Sequence, residues 1–420
     1  MNKTVMKKVY FKTFGCRTNQ FDTQVMISKL KDFELTLDES EADIVMVNSC
    51  TVTNGADSSV RAYISGINRK RPDTKVVIAG CGSHSKGESL FESKKVFGVM
   101  GHSEKENINA ILKHQNPFYE IGDLEHIDET IVEEFVDKSR AFIKIQEGCD
   151  FACSYCIIPS VRGKARSHRE ADVLKQIEKL ASNGFGEFIL TGTNVGSYGA
   201  DQNSSMAKLL KKISMIRGVR RIRIGSLEPI QIDDEFKELL SEPWMAKHLH
   251  IALQHTSDKM LKLMNRRNDY KSDVLLLEEI ASKGYGIGTD YIVGHPGEDE
   301  ASWQEAIDRV ETLPLTHIHA FSYSKRDGTA SADMSDIVRG NIAKERHREL
   351  TEIIKTKNLN FRKEHNSKLE VLLEKGKDSI YYGYDQYYNK IEVQSKDDLS
   401  STWVFLDDVR VEESKNVAIY

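Results

Sequence analysis

The stretch QEGCDFACSYCIIP places Cys149, Cys153 and Cys156 within eight residues. Thiolates are soft ligands that suit zinc or an iron–sulfur cluster. A structural zinc site wants four ligands, and no fourth cysteine lies nearby. His168, twelve residues beyond Cys156, reads as a loop or helix-cap residue. Three thiolates on a cubic four-iron cluster would instead leave one iron open, as a catalytic zinc keeps one position open. On this reading the missing fourth ligand is a substrate or cofactor.

A second triplet is spread along the chain. KKVYFKTFGC, EADIVMVNSC and TKVVIAGCG each run an apolar, β-branched strand into a cysteine, Cys16, Cys50 and Cys81. Segments of helical character, FDTQVMISKLKDF and ADSSVRAYISGINRK, lie between them. Strand, helix, strand at this spacing means a parallel α/β sheet. Its carboxyl edge, where such sheets place ligands, then gathers cysteines that are 34 and 31 residues apart in sequence. Asn19 and Asn48 lie close by. They could hydrogen-bond cluster sulfurs or act as turn and cap residues.

Six cysteines fall into two triplets and none is left over. The N-terminus goes straight into a strand-like pattern with no apolar signal-peptide core. No apolar run is long enough to span a bilayer. The expectation is a cytoplasmic chain, where thiols stay reduced and metal or redox chemistry is favoured over disulfides. A length of 420 residues implies two or three domains. A net charge of −5 restricts any nucleic-acid binding to local basic patches.

From residue 141 the alternation resumes. AFIKIQ, EFILTG, RRIRIGS, HLHIALQ, GIGTDYIVG and THIHAFSYS read as six strands, with helical stretches such as ADVLKQIEKLAS between most of them. Six strand–helix units make a partial barrel with its chemistry at the carboxyl ends of the strands. Residues 120–137 hold eight acidic residues and no basic one, and read as a solvated linker. A long helix is expected over about 338–365. The last fifty-odd residues, rich in Tyr and Val, read as a small β-barrel. The fold expected is therefore α/β, with an N-terminal domain over 6–118, a linker over 119–137, a partial (β/α)6 barrel over 138–366 and a C-terminal domain over 367–420.

The CxxxCxxC motif at the end of the first barrel strand resembles the radical S-adenosylmethionine superfamily. With GCRTNQFDT, NSCTVT, AGCG, GCDFACSYCIIPSVRGKARS, LTGTNVGSYG, GSLEP, LQHTSDKMLKLMNRR, TDYIVGHPGE and SKRDGT, the whole chain resembles its methylthiotransferase family. The resemblance implies two 4Fe–4S clusters, an S-adenosylmethionine-binding one on Cys149, Cys153 and Cys156 and an auxiliary one on Cys16, Cys50 and Cys81. It also implies a C-terminal TRAM domain. Cleavage of S-adenosylmethionine would give a 5′-deoxyadenosyl radical that activates a C–H bond, and a methylthio group would replace the hydrogen. By the same resemblance Gly186, Glu187, Thr191 and Asn194 belong to the region that contacts the methionine moiety, Ser226 and Glu228 meet the ribose or carboxylate, and Gln254 and the Gly294 turn line the adenosine. The last can also be read as a plain loop turn.

Three branches of the family differ in substrate. GCRTNQFDTQ is most similar to the branch that modifies threonylcarbamoyladenosine next to the tRNA anticodon. The alternatives are the branch for isopentenyladenosine in tRNA and the branch for a ribosomal-protein aspartate. The partners expected are tRNA and an electron donor that the sequence does not identify, for a monomeric enzyme. Arg162, Lys164, Arg166 and Arg169 form a basic loop after the cluster motif, Arg217, Arg220, Arg221 and Arg223 a second group, and the 339–363 helix, with Arg346 and Arg348, a third. Each suits RNA phosphates or is a solvated face. Residues 367–420 carry seven basic and eleven acidic residues, which moves the expected RNA contacts away from the TRAM domain. Two rivals from other classes are a two-cluster electron-transfer protein, which would need four ligands per cluster, and a zinc-stabilised RNA-binding module.

Overall fold

The computed structural model describes residues 6–135 and 138–420. Residues 1–5, at the start of the N-terminal run, and 136–137, at the end of the acidic segment, lie outside the described residues. Three layers of architecture follow one another along the chain.

The N-terminal sheet is wholly parallel, in the order β2-β1-β3-β4-β5-β6. Its strands are β1 (Lys8–Thr13), β2 (Glu34–Leu35), β3 (Ile44–Ser49), β4 (Lys75–Gly80), β5 (Gly98–Met100) and β6 (Phe118–Glu120). Every residue of β3 is buried, as expected for a strand covered by helices on both faces. Thr13 pairs with Asn48, and Ser49 with Gly80. That register brings Cys16, Cys50 and Cys81 to one sheet edge, as expected.

All six expected barrel strands form: β7 (Ala141–Lys144), β10 (Glu187–Thr191), β11 (Arg221–Ile224), β12 (His248–His250), β13 (Gly286–Val293) and β14 (His317–Ser322). They run parallel as two three-stranded sheets, β7-β10-β11 and β12-β13-β14. Single bridges such as Leu227 to Ile251 join the two into an open half-barrel. Between β7 and β10, β8 (Gln146–Glu147) pairs antiparallel with β9 (Arg166–Ser167) and closes the base of the cysteine loop. The long helix spans Gly340–Glu364.

The C-terminal strands β15 (Leu369–Leu373), β16 (Ile380–Tyr384), β17 (Lys390–Gln394), β18 (Trp403–Leu406), β19 (Arg410–Val411) and β20 (Asn416–Ile419) make one curled sheet, β18-β15-β16-β17-β20-β19. It docks on the amino end of the half-barrel. Arg221 Nη2 donates to the Glu370 carbonyl and carboxylate, and Arg223 Nη2 to the Asp385 carbonyl. Arg220 lies over the Trp403 ring.

These contacts correct four expectations. Glu187 is fully buried between Arg221 (3.0 Å) and Arg223 (2.8 Å), at the end of the barrel away from the cysteines, so it holds arginines rather than a cofactor. Gly186 beside it faces Trp403 for the same reason. Arg220, Arg221 and Arg223 bind the C-terminal sheet and not RNA, while Arg217 is exposed. The acidic segment is no solvated linker either. Asp128 is 6% exposed and paired with Lys105, while Val132 and Phe135 enter the barrel core.

Removing one partner from a buried ion pair leaves the other uncompensated. Glu187→Ala should therefore cost about 3–5 kcal/mol of unfolding free energy, read by urea denaturation. A loss under about 1 kcal/mol would show that Arg221 and Arg223 find other partners.

Candidate active site

The cysteine loop leaves β8 at Gly148. This residue has φ +70°, and a Cβ there would sit 1.9 Å from the Lys164 carbonyl oxygen, so only glycine fits. The loop is pinned from several sides. The Cys149 amide donates to the Gly163 carbonyl (3.0 Å), and Ser154 donates from its amide to the Met264 carbonyl (3.0 Å). Ser154 Oγ reaches the Leu263 carbonyl at 2.9 Å. Two side chains point donors at sulfur: Asn194 Nδ2 lies 3.6 Å from Cys149 Sγ, and Arg266 Nη1 3.6 Å from Cys153 Sγ.

The three sulfurs face a cavity of about 310 Å³ at the carboxyl end of the half-barrel. Asn194, Ser226, Glu228 and Gln254 line it. Gln254 holds φ +65°, an uncommon conformation for a non-glycine residue, fixed by backbone bonds to Asp290 and Ile292. Glu228 is locked by Arg266, whose Nη1 donates at 2.9 Å. Asp290 accepts from Ser226 Oγ (3.2 Å) and faces His250 Nε2 (3.0 Å) and His319 Nδ1 (3.3 Å). Burial alone would raise its carboxyl, but the two imidazoles hold it well below the usual range.

The loop that follows Cys50 of the second triplet reaches this cavity. Val52 and Thr53, just after Cys50, line the same space. Arg326 fastens that loop by donating to the Thr51 carbonyl (2.8 Å) and to Asp57 (2.7 Å). Gly15, φ +96°, approaches so closely that a Cβ would stand 3.1 Å from Cys50 Sγ. Arg162 Nε points at Cys81 Sγ from 3.2 Å.

Each triplet offers three soft thiols and no fourth cysteine, the donor set that a four-iron cluster with one open iron would take. Burial pushes the Cys81 and Cys156 thiols up to about 12 and also raises Cys50 and Cys149. The thiolates a cluster requires would therefore come from the charge of the metal itself.

Other expected residues sit elsewhere. The Thr191 hydroxyl meets that of Thr18 at 3.3 Å, against the N-terminal helix and outside the cavity. The Gly294 turn, φ +76°, abuts Ala343 of the long helix, also outside it. Asn19 and Asn48 use their amide groups on backbone carbonyls and Thr23, and not on sulfur. Arg162, 2% exposed, pairs with Glu147 (2.6 Å) and Asp22 (3.0 Å). Arg346, 5% exposed, pairs with Glu298 and Glu300 at 2.8 Å each. Neither can reach RNA. Arg166 caps the carbonyls of His126, Arg162 and Lys164, which leaves Arg348 exposed. The sequence reading missed Arg266, Asp290, His250 and His319. The alternating histidines of HLHIA and HIHAF were the available signal.

Comparison with known proteins agrees with this layout. Residues 8–101 match the family described as uncharacterized protein family UPF0004, and residues 143–310 match the radical SAM superfamily. A Helicobacter pylori protein provisionally named a methylthiotransferase is 53% identical over 99% of this chain and 100% of its own. The threonylcarbamoyladenosine tRNA methylthiotransferase MtaB of Aquifex aeolicus is 34% identical over 86% of this chain and 91% of its own. The tRNA-2-methylthio-N(6)-dimethylallyladenosine synthase of Fervidobacterium nodosum is 33% identical over 90% of each. Among solved structures, the radical S-adenosylmethionine methyltransferase TsrM of Kitasatospora setae shares the fold, with a TM-score of 0.61 at 16% identity over 78% of this chain and 77% of that one.

Arg162→Met would leave Asp22 and Glu147 with one cation fewer at full burial. The expected loss is about 3–5 kcal/mol of stability. Arg162→Lys keeps the charge without the planar fork and should recover only part of it. Equal stability of wild type and Arg162→Met in urea titrations would contradict this account.

Proposed function

The chain belongs to the radical S-adenosylmethionine methylthiotransferase family, and on that premise we propose that it methylthiolates C2 of N6-threonylcarbamoyladenosine at tRNA position 37, next to the anticodon. The observation that carries this reading is the shared cavity, because a base held there faces the Cys149 loop on one side and the Cys50 loop on the other. When bound, the cluster on Cys149, Cys153 and Cys156 would supply the electron that cleaves S-adenosylmethionine, and a second one on Cys16, Cys50 and Cys81 would carry the sulfur.

The chain's own residues then have separable tasks. Asn194 and Arg266 would direct N–H groups at cluster sulfurs, a way of tuning potential. Glu228, oriented by Arg266, stands ready to accept from the amine or ribose of the cofactor. Ser226 and Asp290 offer further polar contacts at the same face. Val52 and Thr53 line the cavity from the side of the N-terminal domain.

The segment GCRTNQFDTQ and the relatives named for threonylcarbamoyladenosine support this substrate. The relative named for dimethylallyladenosine, matching at similar identity, makes the isopentenyl nucleoside the second reading. Arg348 remains a candidate phosphate contact. The reaction would take place in the cytoplasm, with its tRNA; among the described residues no helix is long and apolar enough to cross a membrane.

Anaerobic reconstitution should give about eight iron per chain, two four-iron clusters. Replacing Cys149, Cys153 and Cys156 together by Ala should leave about half of it. Stoichiometric zinc in place of iron would sink the reading. Cys153→Ala should abolish formation of 5′-deoxyadenosine, while Cys50→Ala should retain some of it and lose sulfur insertion. For the substrate, nucleoside mass spectrometry of tRNA from a deletion strain should show the methylthio derivative of threonylcarbamoyladenosine disappearing and its precursor accumulating. Loss of the isopentenyl derivative instead would move the chain to the second reading.

A further inference from the structure

The half-barrel holds a second, smaller cavity of about 180 Å³, and all three domains line it. Phe142 and Ile189 come from the barrel strands β7 and β10, Tyr388 from the C-terminal domain, and Arg17 from the N-terminal helix. Arg140 and Lys138 add two more cations. Arg140 is neutralised by Glu374. Arg17 bonds instead to a tyrosine of the same cavity, Tyr388.

Arg17 directly follows Cys16, the exposed member of its triplet. Its Nη2 donates to Tyr388 Oη at 2.6 Å, and its guanidinium stands 5.3 Å from the centre of that ring. The aromatic contact orients the fork while leaving other N–H groups free. A guanidinium fork matches a carboxylate bidentately. We propose that this cavity takes the carboxylate of an amino-acid substituent on the substrate nucleoside, with Arg17 as its partner.

The proposal rests on the threonylcarbamoyl reading above and adds how that substituent is recognised. Ile189 lines the small cavity and Thr193, four residues on, the large one. Along an extended chain that is about 13 Å. Seven covalent bonds separate C2 of the purine from the carboxylate carbon of a threonylcarbamoyl group, roughly 8–10 Å when extended at ordinary bond lengths. That reach is shorter than the span, so the base would have to react at the inner end of the large cavity and Arg17 to extend towards it for the two to meet. An apolar isopentenyl group there would desolvate Arg17 without pairing it, which selects against that substrate.

The test uses reconstituted full-length enzyme, S-adenosylmethionine, a reductant and anticodon stem–loop RNAs. The RNAs carry the threonylcarbamoyl acid, its methyl ester, or the isopentenyl group. Wild type should favour acid over ester by about tenfold to a hundredfold in kcat/KM, the worth of a hydrogen bond to a charged group. Arg17→Gln should bring that ratio close to one, and Arg17→Lys should keep part of it. Equal rates of wild type on acid and ester would overturn the proposal, and this arm needs no variant to fold. An Arg17→Gln enzyme that keeps the preference would overturn it too. Thiolation of the isopentenyl RNA alone would overturn the substrate reading itself, a result distinct from either.

Discussion

Six charged side chains, buried where the N-terminal sheet meets the half-barrel, decide how the rest of the molecule is arranged. Asp22, Asp128 and Glu147 face Lys105, Lys144 and Arg162, three carboxylates against three cations. Lys144 Nζ lies 2.6 Å from Asp22 and 2.8 Å from Glu147, and Lys105 Nζ 2.8 Å from Asp22. Burial alone would raise the Asp22 and Glu147 carboxyls, but the surrounding cations hold both well below their usual range. Taken without the cations, the three carboxylates resemble a metal site. The ammonium and guanidinium groups already fill that role.

Such a network is costly to desolvate and tolerates no missing member. The N-terminal domain supplies Asp22 and Lys105, the connecting segment Asp128, and the barrel the other three. Neither domain could bury its own share alone. The apolar packing, by contrast, lies mostly in separate cores, with Phe21 and Val25 the N-terminal residues that reach the barrel's. Charge balance therefore fixes where one cysteine triplet stands relative to the other. Arg162 makes the link direct. It ends the short helix after Cys156 and reaches Cys81 of the opposite triplet.

What the sequence could and could not reveal follows from the range of each interaction. Strands announce themselves locally, so the three strand–cysteine junctions and all six barrel strands were legible from runs of β-branched residues. Asn194, Ser226, Glu228 and Gln254 were reachable because they sit just past strand ends, where chemistry gathers. Buried ion pairs have no local signature. Arg162 meets Asp22 across 140 residues of chain, and Arg346 meets Glu298 across 48. Read along the chain, each was one more charge in a basic cluster. Glu187 misled for the same reason, because its arginines lie a strand away and its end of the barrel is set by the C-terminal sheet.

That sheet shows what a charge count hides. Its net of −4 argues against contact with phosphate if every acid faces solvent. Glu370 instead pairs with Arg220 and Arg221, and Glu374 with Arg140, all on the barrel. Half of the imbalance is thus neutralised by docking, and the outward face is closer to neutral than the sequence suggests. The same docking brings Tyr388 against Arg17 in the barrel lumen. The C-terminal domain is therefore part of the wall of the small cavity, and its acidity is first a device for attachment to the barrel's arginines.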